Sequence, residues 1–70
     1  MAKAVQTFKG YTMDYTSQIE YAVSETGNVF TRSQYRDARY GYKWTKWRQT
    51  VASAVEGLTP NGAKNWRLPA

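Results

Sequence analysis

Seventy residues with a net charge of +5, no cysteine and no histidine make one small domain that no disulfide and no His/Cys zinc site can staple. The lack of histidine also removes the commonest general base, and the five carboxylates form no evident pair. These absences argue against an enzyme, a metal site or a bound cofactor.

Aromatic residues must supply much of the burial, because two Phe, six Tyr and three Trp stand against one Ile and two Leu. Such a composition favours a sheet. The opening "MAKAVQTFKG" lacks the apolar run of a signal peptide, and nothing approaches a membrane span. The expectation is an intracellular, cytoplasmic protein with no membrane partner and no small-molecule substrate. Charge is unevenly spread. Residues 10–31 carry Asp14, Glu20 and Glu25 without a Lys or Arg, whereas residues 32–48 carry six bases against Asp37. Such clustering marks a partner that is a polyanion or an acidic protein face.

Along the chain, Lys3 to Gly10 ("KAVQTFKG") reads as a strand, and "GYTMDYTS" after it as a loop or irregular strand. The next segment, "QIEYAVSETGNVFTRSQYR", reads as a hairpin with Glu25, Thr26 and Gly27 as its three-residue loop and Gly27 in the left-handed position. That register pairs Val23 with Val29, Tyr21 with Thr31 and Ile19 with Ser33. On the other face it pairs Ala22 with Phe30 and Glu20 with Arg32, an opposite-charge match of the kind ladders favour. A rival helix remains open over Ser17 to Glu25, because Ser17 and Glu20 have capping-box spacing and Gly27 could end it. Nine residues here, "YAVSETGNV" (Tyr21 to Val29), resemble the "YxVSxxGxV" hairpin of small DNA-binding modules found beside nuclease domains in some homing endonucleases. Tyr21, Val23, Ser24, Gly27 and Val29 carry the likeness; no nuclease residues accompany it, and no function is carried across.

After the turn "DARYG", "YGYKWTKWRQ" reads as a third strand. Its alternation sets Tyr42, Trp44, Lys46 and Arg48 on one face and Lys43, Thr45, Trp47 and Gln49 on the other. Neither set is purely apolar, and a one-residue slip exchanges which is buried. Size and composition favour core duty for Trp44, Tyr42 and Tyr35, with Trp47 evenly balanced. "TVASAVEGL" then shifts period: Val51, Ala54, Val55 and Leu58 share one face of a helix, with Thr50 as its cap and Gly57 as its stop. The fold expected is α+β: a small three- or four-stranded antiparallel sheet with one short helix packed on it. Residues 1–58 form the domain, and 59–70 form a turn and tail docked through Trp66 and Leu68.

Function is expected to be binding without catalysis, by a basic, aromatic-rich face of Arg32, Arg36, Arg39, Lys43, Trp44, Lys46, Trp47 and Arg48. Bases stack on aromatic rings while Lys and Arg neutralise phosphates, so nucleic acid, DNA or RNA, is the first reading. Arg, Tyr and Trp also dominate protein interfaces. The alternative is therefore a small protein-binding inhibitor or adaptor, such as a phage- or plasmid-type antagonist of a nucleic-acid-processing complex.

Overall fold

A computed structural model describes residues 2–11 and 17–69. Residues 12–16, most of the expected loop or irregular strand and the position of Asp14, lie outside them. The described chain is nearly all sheet. Strands β1 (Ala2–Tyr11), β2 (Gln18–Ser24), β3 (Val29–Asp37), β4 (Gly41–Trp44), β5 (Arg48–Thr50) and β6 (Lys64–Leu68) succeed one another along it. They lie β4-β3-β2-β1-β6, with β5 also on β3, and the sheet curls into a half-barrel.

The hairpin register holds pair for pair: Ile19 faces Ser33, Glu20 faces Arg32, Tyr21 faces Thr31, Ala22 faces Phe30 and Val23 faces Val29. The rival helix is not formed, because Gln18–Ser24 is strand β2 in that ladder. Gly27 sits at φ +89°, where a side chain would be strained, and its N–H donates to the Ser24 carbonyl at 2.9 Å. The Ser24 hydroxyl accepts from the Asn28 N–H at 3.2 Å and shares a 2.7 Å hydrogen bond with Thr26. Ser24 is therefore buried with its polar atoms satisfied.

Curvature comes from irregular pairing. Ala4 faces Ser24 but Gln6 faces Val23, which leaves Val5 as an extra residue in β1. On the other side of β1, Ala4 faces Lys64 whereas Lys3 faces Arg67, so Asn65 and Trp66 bulge from β6. A tightly curled sheet has little room inside, and two of the four residues at its centre are alanines. Ala4, Ala22, Phe30 and Leu68 form the buried cluster, and Trp47 and Trp66 pack against it. The strand of 64–68 thus belongs to the sheet, with Leu68 fully enclosed. Its approach is pinned by Thr7, whose carbonyl accepts from Asn61 N–H at 2.7 Å and whose hydroxyl donates to the Gly62 carbonyl at 2.9 Å.

The expected α+β class is wrong, because among the described residues no helix packs on this sheet. Thr50 is drawn into β5 opposite Val29, and the next residues make only one turn of 3₁₀ helix, Ala52–Val55, that buries no residue. The N–H groups of Ala54, Glu56 and Leu58 each bond three residues back, to Val51, Ser53 and Val55. Barely two turns are too short to offset helix nucleation, and Gly57 at φ +79° ends the run. Val51, assigned to the buried face, is 66% exposed, and Val55 and Leu58 are only half-buried.

Candidate nucleic-acid interface

The expected third strand is split. In β4, Trp44 faces Gln34, and in β5, Arg48 faces Thr31. Residues Thr45, Lys46 and Trp47 therefore span only Arg32 and Ser33 of β3, one residue too many for a regular ladder. The Thr45 side chain repairs the gap, since its hydroxyl accepts the Ser33 N–H at 3.0 Å while its own N–H donates to the Ser33 carbonyl at 2.9 Å. The extra residue reverses the alternation between its two sides. Trp44 and Trp47, of opposite parity in the sequence, consequently meet the same side chain.

That side chain is Arg32. Its guanidinium carbon lies 4.8 Å from the Trp44 ring centre, 4.7 Å from Trp47 and 5.0 Å from Trp66, the last arriving from the opposite edge of the sheet. Trp47 and Trp66 touch each other, with centroids 5.6 Å apart. Below them Nε and Nη2 of Arg32 both donate to Oε1 of Glu20, at 2.8 and 2.6 Å, and Glu20 is only 6% exposed. Each cation–π contact is worth about 0.5–2 kcal/mol depending on desolvation. Arg32, Trp44 and Trp47 thus form a clasp that ties the β4–β5 edge of the half-barrel to β6.

The other expected cations lie outside the clasp. Beyond Ser33 the β3–β4 hairpin continues as a ribbon, Gln34 to Trp44, in which no residue is buried. Across it Arg36 faces Tyr42 and Tyr35 faces Lys43. All four are exposed, Tyr42 by 61% and Tyr35 by 44%, so neither tyrosine has the core duty expected of it. At the tip Arg39 and Tyr40 are exposed, with Lys43 Nζ 4.3 Å from the Tyr40 ring centre. Asp37, the one acid in the stretch, is engaged by its own turn: its Oδ1 accepts the N–H groups of Arg39 at 2.8 Å and Tyr40 at 3.2 Å. Gly41, at φ +80°, completes that turn. Lys46 stands exposed in the irregular stretch, and Arg48 is exposed in β5.

Of the eight expected residues, Arg32, Trp44 and Trp47 are therefore in the clasp, Arg36, Arg39 and Lys43 are on the ribbon, and Lys46 and Arg48 belong to neither. Glu20 and Trp66, which complete the clasp, and the exposed Tyr35, Tyr40 and Tyr42 are not among the eight. One sequence signal does mark the ribbon: residues 33–43 contain no Val, Ile, Leu or Phe on either face.

Among the described residues no group of His, Cys, Asp or Glu is placed to hold a metal ion, and no helix is long and apolar enough to cross a membrane. A scan against family models and searches of curated proteins and of solved structures find no match to this chain.

Proposed function

We propose that this chain is a non-catalytic nucleic-acid-binding protein whose contact element is the β3–β4 ribbon. One observation carries the reading: eleven consecutive residues, 34–44, hold Arg36, Arg39, Lys43 and three exposed tyrosines with nothing buried among them. Long exposed side chains of this kind contribute little to a core, while cations beside aromatic rings supply both phosphate neutralisation and base or sugar stacking. Tyrosine does this at low entropic cost, since its ring has few rotamers to lose on binding.

The test is fluorescence anisotropy with labelled mixed-sequence oligonucleotides at two salt concentrations, using the parent chain and the double variant Arg36→Glu, Lys43→Glu. The parent should bind at low salt and weaken steeply as salt rises, and the double variant should not bind. Absence of binding by the parent at low salt overturns the proposal. If the same double variant then loses capture of an acidic protein that the parent retains, the ribbon serves as the contact surface of a protein-binding inhibitor instead.

A further inference from the structure

We infer that the ligand is duplex DNA and that the ribbon enters its major groove; this rests on the proposed nucleic-acid function and names the substrate class. The ground for it is that the ribbon has no back. Arg36 with Tyr42 and Tyr35 with Lys43 are successive cross-strand pairs, so strand alternation turns them to opposite faces. Each face therefore presents one cation and one tyrosine, all exposed. A platform for single strands gathers its rings and bases on one side of a sheet and packs the other side on a core. On such a platform half of this chemistry would point away from the ligand.

A groove walled on both sides by phosphate uses both faces at once. The major groove of B-form DNA, about 12 Å wide and 8.5 Å deep, admits a two-stranded ribbon, whereas the minor groove at about 6 Å does not. From Gln34 to Asp37 the ribbon advances about 10 Å at 3.4 Å per residue, enough to carry its tip to the groove floor. Arg36 and Lys43 then meet phosphates on opposite walls, and Arg39 at the tip reaches toward base edges. Asp37 keeps its negative charge, but its Oδ1 is turned to the N–H groups of Arg39 and Tyr40, and three cations, Arg36, Arg39 and Lys43, outnumber it on the ribbon. Double-stranded RNA is excluded by shape, since its major groove is too narrow for side chains to enter.

The experiment compares, for the full chain, one mixed sequence as DNA duplex, as each separated strand and as RNA duplex. DNA duplex should bind at least about tenfold tighter than the others. Arg36→Ala and Lys43→Ala should each lower the salt dependence of duplex binding by about one unit of log–log slope, because each removes one phosphate contact. Duplex bearing bulky glucosyl groups in its major groove should bind poorly, while a minor-groove ligand should not compete. Equal or tighter binding of single strands or RNA duplex overturns the inference, as does a slope change confined to one of the two variants. In those cases the nucleic-acid reading stands. Failure of every nucleic acid to bind at low salt removes that reading instead.

Discussion

Arg32 and Arg36 lie four residues apart on the same strand and, by alternation, on the same face, yet they belong to regions with opposite duties. Around Arg32 the partners are remote: Glu20 from the preceding strand, and Trp66 from the far edge of the sheet. Arg36 has Tyr42 across a narrow hairpin and an exposed side chain. Both neighbourhoods are basic and aromatic. What separates them is whether long-range partners desolvate and neutralise the cation. A buried carboxylate and three indoles convert an arginine into a strut, and without them the same residue remains a free charge.

Four variants would break or sharpen this contrast. The largest effect is expected of Arg32→Ala, which strands Glu20 as an unpaired buried carboxylate and frees the two sheet edges. A loss of about 3–5 kcal/mol is expected, a large share of the stability a domain has. Urea denaturation followed by circular dichroism measures it, and a loss below about 1 kcal/mol would deny the clasp its role. Leu68→Ala comes next. It opens a cavity beneath Trp66 at the β6 edge and should cost about 2–5 kcal/mol by the same measurement. A smaller loss, about 1–3 kcal/mol, is expected of Gly27→Val, which strains the loop that brings Glu20 opposite Arg32. The smallest belongs to the ribbon. Arg36→Glu with Lys43→Glu should change stability by no more than about 0.5 kcal/mol for each site, because both side chains are solvated. A melting temperature lowered as far as in Arg32→Ala would mean that the two regions are not distinct.

The parts of the fold legible in the sequence are those determined locally. The β2–β3 register comes from a glycine at the one loop position that needs positive φ and from a charge pair that only one alignment permits. The face of the third strand cannot be read, because the alternation expected of it is broken at Thr45 to Trp47 and either regular choice separates Trp44 from Trp47. Trp66 reaches Arg32 across 34 positions of chain, a separation that no local pattern encodes. The helix expected after Thr50 is missing for a related reason. Its apolar spacing is genuine, but Thr50 is claimed by a ladder with Val29, and the remainder is too short to nucleate. An expectation from size alone places Tyr35 and Tyr42 in the core, but residues 33–43 supply no Val, Ile, Leu or Phe to receive them, and both are exposed.

The convergence of Trp44, Trp47 and Trp66 on one guanidinium has an optical consequence. These are the three tryptophans of the chain. Indole emission is sensitive to a nearby charge and to water, so light excited selectively from tryptophan reports on this one joint and is blind to the tyrosines of the ribbon. The protein carries its own gauge of whether the half-barrel is closed. A ligand held only by the tip of the ribbon, around Arg39, would leave Trp47 and Trp66 undisturbed, and one that pries the sheet edges apart would change the signal from all three emitters together.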